Sequence, residues 1–335
     1  MKRIISLLLA LALTLSLTAC TAPAEKADDG KLQIVTTLFP YYDFARAIAQ
    51  DRADVTLLLS PGREAHSFEP TPLDAVTISE ADVFLYNGGE GEYWVESMLG
   101  AAGENIAVVA RMMDYVDALN EEYVEGMQGA DDHDHDHEHG SHDDHDHDHE
   151  EDEHDSDEIE YDEHIWTSPK NAVVLCRAVC DAICRADAEN AAFYRANCEN
   201  YCAQLEDLDA RFAALCESAP RRLLIFADRF PMLYFCREYG LDYRAAFHGC
   251  SGDTEPSLAT IKFLIDKVED ENIPVVYTID FGTKKVAAVV SECTGAAIET
   301  LYSMQTVSRA DFDAGETYLT LMERNFEALR KGLNA

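Results

Sequence analysis

Asp187-Ala-Glu-Asn-Ala-Ala-Phe-Tyr-Arg-Ala-Asn-Cys-Glu-Asn-Tyr-Cys-Ala-Gln-Leu-Glu-Asp-Leu-Asp-Ala-Arg-Phe-Ala-Ala-Leu-Cys-Glu-Ser218 contains neither proline nor glycine. Tyr194, Asn197, Tyr201, Leu205, Leu208, Phe212 and Leu215 recur at spacings of three and four, with charged residues between them, so they share one helix face. A helix of about 30 residues is roughly 45 Å long, enough to cross a whole domain. Its natural use is as a rigid connector between two lobes.

On both sides of this stretch the pattern changes to short apolar runs alternating with helical segments. Upstream, Lys31–Thr37, Asp54–Leu59, Asp82–Tyr86 and Asn105–Val109 read as strands, and a helix begins at Leu38-Phe-Pro. Ser60-Pro61-Gly62 and Asn87-Gly88-Gly89 supply turns. Downstream, Leu223–Ala227, Tyr243–Phe247, Val275–Ile279 and Ala297–Leu301 read as strands, and Asp311–Lys331 as a closing helix. Such alternation argues for βα units on parallel sheets. The expected fold class is therefore α/β, with two lobes joined by one long helix. Ligands of open α/β sheets bind outside the carboxyl ends of the strands, which places a ligand in the cleft between the lobes.

The amino terminus reads as an export signal. Lys2 and Arg3 precede the apolar run Ile4–Leu17, which is shorter than a spanning helix requires. It ends at Leu17-Thr18-Ala19-Cys20, a lipobox pattern in which the cysteine is lipidated. This gives a signal peptide over 1–19, a lipid-anchored tether over 20–30 and a folded part from Lys31. The domain assignment is an amino-terminal lobe over 31–186, a linking helix over 187–218 and a carboxyl-terminal lobe over 219–335. The expected location is extracytoplasmic, anchored to the cell membrane through Cys20.

The net charge of −38 is uneven, because Asp131–Glu163 holds 19 of the 64 acidic residues and no Lys or Arg. The rest is ordinary for a secreted acidic protein, and nucleic acid is excluded as a partner. Nine of the twelve histidines alternate with Asp and Glu in the same segment: His133, His135, His137, His139, His142, His145, His147, His149 and His154. The composition predicts a disordered loop over 128–161. Imidazoles and carboxylates are ligands for zinc, copper and nickel. A flexible chain loses ordering entropy for each ligand it fixes, so this run is a low-affinity collector and not the specific site.

Apart from the lipobox residue, nine cysteines remain. Cys176, Cys180 and Cys184 are spaced by four, as are Cys198 and Cys202, which lines each set along one helix face. Two thiols so placed suit a shared metal better than a disulfide. A buried thiol also serves as a small apolar core residue, and the core reading is preferred. Disulfides joining Cys236 or Cys293 to Cys250 stay open.

Three histidines lie outside the run. His66, in Pro61-Gly-Arg-Glu-Ala-His-Ser-Phe-Glu-Pro, follows the second strand. His164, in Asp162-Glu-His-Ile-Trp-Thr-Ser-Pro, stands where the low-complexity run rejoins the fold. Gly62-Arg-Glu-Ala-His66-Ser-Phe-Glu-Pro-Thr-Pro resembles the GxEPHxxEPTP element of ZnuA-like, TroA-type zinc-uptake solute-binding proteins. Asp162-Glu-His164-Ile-Trp-Thr-Ser-Pro-Lys-Asn-Ala resembles their DPHxWLDPxNA element. Ala81–Glu90 with Trp94, Thr254-Glu-Pro-Ser and Thr294-Gly-Ala also match, so the likeness covers nearly the whole mature chain. It implies two pseudo-symmetric lobes, a helical backbone between them and a buried zinc or manganese site in the cleft. It also implies an ABC permease with its ATPase as partner, and a monomer.

The second half departs from that pattern. Relatives carry a histidine after the first strand of the second lobe, where this chain reads Phe226-Ala-Asp-Arg-Phe-Pro with two extra residues. They carry an aspartate near Leu301-Tyr-Ser-Met, where it has Tyr302. The expected carboxyl ends of the four strands offer Asp228, His248, Asp280 and Tyr302. The predicted metal ligands are His66, His164, His248 and Asp228, with Asp280 as substitute. The expected ion is Zn2+, with Mn2+ or iron as the alternative because harder ions favour carboxylates. A surface metal buffer or adhesin without transport is the rival class. No HExxH, GxSxG or P-loop is present, so an enzyme is not expected.

Overall fold

The computed structural model describes residues 30–63, 67–102, 106–128, 160–251 and 255–334. The export signal, Cys20, His66 and all nine histidines of the acidic run lie outside the described residues.

The first half contains β1 (Leu32–Thr36), α1 (Phe39–Ala49), β2 (Ala53–Leu57), α2 (Pro72–Ser79), β3 (Val83–Tyr86), α3 (Trp94–Ala102) and β4 (Val108–Arg111). Its all-parallel sheet has the order β2-β1-β3-β4. Two helices follow, α4 (Pro169–Ala186) and α5 (Ala191–Ser218). The second half runs through β5 (Leu223–Phe230), α6 (Leu233–Tyr239), β6 (Asp242–His248), α7 (Leu258–Asp270), β7 (Val275–Ile279), α8 (Lys285–Thr294) and β8 (Ala297–Leu301). It closes with α9 (Arg309–Ala314) and α10 (Tyr318–Asn334). Its sheet is also parallel and repeats the same pattern, β6-β5-β7-β8. Two lobes of identical strand order are thus present, as expected.

The connecting helix is 28 residues long and begins at Ala191, later than the apolar stripe suggested. The delay has a local cause. Asp187 accepts hydrogen bonds from the Asn190 N–H (3.2 Å) and the Tyr194 hydroxyl (2.6 Å), which makes a turn between α4 and α5. All apolar members of the stripe are buried, and Asn197 instead donates to Ile48 O at 2.8 Å. That bond satisfies one of the carbonyls left open at the end of α1. The first half of α5 therefore packs on the first lobe. Its second half serves the other lobe: Phe212 meets Phe235 of α6 and Phe326 of α10 edge-on, at 4.9 and 5.3 Å.

The lobes are tied by buried polar bonds as well as apolar contact. Asp43 of α1 accepts from Tyr201 of α5 (2.6 Å) and from the Tyr318 N–H of α10 (2.9 Å). Trp166 donates to Ser303 O at 2.7 Å, and its own carbonyl accepts from Tyr318 at 2.6 Å. Unmade, each would leave a buried polar group at a cost of about 1–3 kcal/mol. The relative placement of the lobes is therefore well specified.

Three strand boundaries move by two residues or more, the second strand ending at Leu57 and not Leu59, and the closing helix expected over 311–331 is split at Gly315. The fourth strand is Val108–Arg111 and not Asn105–Val109. The fifth extends to Phe230, with a register slip between Phe226 and Arg229. The slip sets three steps of β5, Phe226 to Arg229, against two of β6, Ala245 to Phe247, so one extra residue is taken up as a bulge. All nine described cysteines are free, which removes the disulfides left open for Cys236, Cys250 and Cys293.

Candidate metal centre

The histidine at the centre of the cleft is held from several directions. Asn120 and Tyr161 form an antiparallel bridge, and Glu121 N donates to Glu160 O at 2.8 Å, so the two ends of the acidic excursion are stitched together. Tyr234 of the second lobe donates to Asp162 O (2.7 Å) and accepts from Leu119 N (3.0 Å). Beyond this clasp the chain makes a short 3-10 turn, Ile165–Thr167, whose first carbonyl partner is His164 O. His164 is 1% exposed. Its Nδ1 lies 3.1 Å from Asp162 Oδ1, and the same oxygen accepts the His164 N–H at 2.8 Å. Burial lowers the imidazole pKa, but the charge and hydrogen bond of Asp162 more than offset this, with smaller help from Glu121 and Glu163, and the net direction is upward.

Two cavities meet here. One, of about 330 Å³, is lined by His164, Arg229, Gly249, Phe281, Ser303 and Gln305, among others from both lobes. The other, of about 360 Å³, lies outside the carboxyl ends of β1 and β3, where the chain reverses direction across the sheet. Thr37, Asn87, Glu92, Trp94, Glu163 and again Gln305 line it. This is the switch-point crevice expected of such sheets. Gly62 N donates to Val307 O at 2.8 Å, which anchors the start of the His66 loop beside the same segment.

Two glycines make the close approaches possible. Gly89 has φ +90°, and a Cβ there would overlap the Glu163 carboxyl. A Cβ at Gly249 would stand 3.1 Å from the His164 ring and 2.9 Å from Phe230 O.

His248, at the end of β6, is brought to the edge of this cleft. Its Nδ1 lies 3.2 Å from Glu121 Oε2, and Glu121 Oε1 accepts the Cys250 N–H at 3.2 Å. The pairing is mutual: burial opposes both charges, yet His248 is raised and Glu121 lowered by their contact. Asp228 is placed differently from the expectation. It lies inside β5 at the bulge, not on a loop beyond the strand. Its Oδ2 accepts from Thr278 Oγ1 (2.6 Å) and Ile279 N (3.3 Å), and its Oδ1 from Arg229 N (2.9 Å). Those bonds tie β5 to β7 and occupy both oxygens. Asp280 accepts from Ser303 N at 3.1 Å and lines a separate cavity with Lys284, Tyr302 and Asp311.

Glu121, Asp162, Glu163 and Gln305 were not selected from the sequence. The first three sit in or beside an acidic low-complexity run, where composition masks individual roles. Among the described residues the only three ligand groups with atoms within 4.8 Å of one another are Cys176, Cys198 and Cys202, in the helical layer and away from the cleft.

The ZnuA family description, "Zinc-uptake complex component A periplasmic", matches residues 34–332. This chain is a member of the ZnuA family. The resemblance seen at His66 and His164 is therefore borne out over residues 34–332. Among its relatives is the high-affinity zinc uptake system protein ZnuA of Bacillus subtilis (strain 168), 32% identical over 303 residues, covering 90% of this chain and 88% of that one. The zinc-binding lipoprotein AdcA of Streptococcus pneumoniae (strain R6) is 30% identical over 332 residues, covering 99% of this chain and 61% of AdcA. The chain thus spans about three-fifths of the AdcA relatives. The metal-dependent lipoprotein YcdH of Bacillus subtilis superposes with a TM-score of 0.72 at 29% identity, over 90% of this chain and 100% of its own. The Zn(II)-bound ZnuA-like domain of S. pneumoniae AdcA gives 0.71 at 25%, over 91% and 100%. As a ZnuA-family chain it is a binding protein and not an enzyme.

Proposed function

We propose that this chain captures zinc in the cleft between its lobes and delivers it to an ABC permease with its ATPase. The observation that carries the reading is His164, fully buried in an interlobe cavity and oriented through Nδ1 by a carboxylate. That is the arrangement by which proteins fix the tautomer and ring of a metal-binding histidine, and it assigns Nε2 as the ligand nitrogen. Zinc accepts mixed nitrogen and oxygen ligands with four-fold coordination. His66 and His164 supply the first-lobe half of the site. For the other half His248 is retained. Glu121, which faces His248, takes the place of Asp228, whose carboxylate is turned into the β5–β7 pairing.

The relatives carrying zinc in their names support zinc over manganese or iron, and capture for transport over a buffer or adhesin. The reading keeps lobes at 31–186 and 219–335, the linker at 187–218 and the acidic histidine loop at 128–161 as a collector. It places the protein outside the cytoplasm as a monomer, anchored through a lipid on Cys20 after removal of 1–19. Calorimetry on the mature chain lacking 131–160 tests the site. One tight zinc equivalent is expected, abolished by His66→Ala and by His164→Ala. If either variant binds zinc as tightly as its parent, the cleft is not the site. Labelling with radioactive palmitate tests the anchor, and label retained by Cys20→Ala would reject it.

A further inference from the structure

Away from the cleft, the packing of α4 on α5 buries a group of thiols that zinc capture does not use. We propose that Cys176, Cys198 and Cys202 form a second metal site, binding a soft divalent ion such as zinc or cadmium through three thiolates.

The geometry is that of a thiolate cage. A tetrahedral zinc with Zn–S bonds of about 2.3 Å holds its sulfurs roughly 3.8 Å apart. Cys198 and Cys202 sulfurs are 3.8 Å apart, and both lie within 4.8 Å of the Cys176 sulfur. Cys180, one turn further along α4, faces the Cys184 sulfur at 4.0 Å and is not a member of the group. The ligands come from two helices, Cys176 from α4 and the Cys198 and Cys202 pair from α5, so no backbone rearrangement is needed to point them inward. A disulfide would need a sulfur pair at about 2.05 Å and would use two of the three. Within one helix the side chains four apart run side by side and do not meet in that geometry.

Metal binding at these thiols is a proton-releasing step. Binding one divalent ion to three thiols breaks three S–H bonds and releases three protons, leaving a complex of charge −1. The thiols of Cys198 and Cys202 now donate to Cys176 O and Val173 O, at 3.8 and 3.9 Å. Both carbonyls lie inside α4, where helix bonding also uses them, so losing the S–H donors orphans nothing. An ion there would cross-link the last helix of the first lobe to the connector.

The test uses the full mature chain, purified reduced, stripped of metal, and refolded with and without cadmium in excess over what the cleft and the histidine run can hold. A thiolate-to-cadmium charge-transfer band is expected in the ultraviolet, with loss of Ellman-reactive thiols. It should persist in His164→Ala and Cys236→Ser and be lost in Cys202→Ser and Cys198→Ala. Because histidines give no such band, failure here leaves the cleft reading untouched, and failure of the cleft leaves the band. The proposal is overturned if the folded wild-type chain shows no band with all its thiols still titratable. It is equally overturned if intact mass shows two hydrogens missing through a Cys176–Cys198 or Cys176–Cys202 disulfide, or if Cys202→Ser keeps the band unchanged.

Discussion

Replacing Glu92 by glutamine is expected to stabilise the metal-free protein at alkaline pH and to do almost nothing in acid. Glu92 is 7% exposed in the wall of the first-lobe cavity. Its Oε2 accepts the Gly88 N–H at 2.8 Å, while its Oε1 has no hydrogen-bond partner among the described residues. Burial pushes its pKa from 4.5 up to about 7; the nearby Thr37 hydroxyl, which makes no bond of good geometry, and the Gly88 N–H offset only part of this. The folded value exceeds the unfolded one, so the associated stability is complete below about pH 4.5 and is lost as pH rises through about 7. At 1.36 kcal/mol per pH unit, the 4.5-to-7 shift corresponds to roughly 3 kcal/mol at pH 8. Glutamine keeps an oxygen for Gly88 and offers an N–H to the unpartnered Thr37 oxygen. Urea denaturation of the stripped chain at pH 5 and pH 8 measures the effect. A gain of about 1–3 kcal/mol at pH 8, with little at pH 5, is expected. Equal gains at both pH values, or a loss at pH 8, would refute the argument. A cation in the cleft favours the ionised carboxylate, so the advantage of glutamine should shrink when zinc is bound.

Asp162→Asn keeps an acceptor for His164 but removes its charge; loss of such orienting partners costs roughly 10–100-fold in metal affinity. The lower end is expected, read by competition with a chromophoric zinc chelator, and unchanged affinity would show that His164 does not depend on Asp162. Zinc affinity should fall as pH is lowered, because the ligand histidines must be neutral. With His164 and His248 both raised above 6.5, the fall should begin above the ordinary imidazole range and be shallower in His248→Ala. In the metal-free protein the same two shifts act in the opposite sense. Their contribution to stability is full below the unfolded imidazole value and lost as pH rises through the folded ones, which thermal melts from pH 5 to 9 would show.

Periodicity alone determined the two α/β lobes and the long connector, because burying one helix face or one sheet requires a regular apolar pattern. Local motifs singled out His164 for the same kind of reason: a Trp-Thr-Ser-Pro turn and a helix start can be read without knowing distant partners. The second-lobe half of the site could not be read this way. Asp228 looked like a strand-end ligand until the bulge in β5 turned it toward Thr278 and Ile279, and a bulge depends on strand pairing. Glu121 was one acid among many until the 119–121 and 160–162 segments met and set it against His248. The thiols were visible as two spaced sets on separate helices. Only the packing of α4 against α5 decided that three of them share one buried point, since distances across helices are set by tertiary contact and not by sequence spacing.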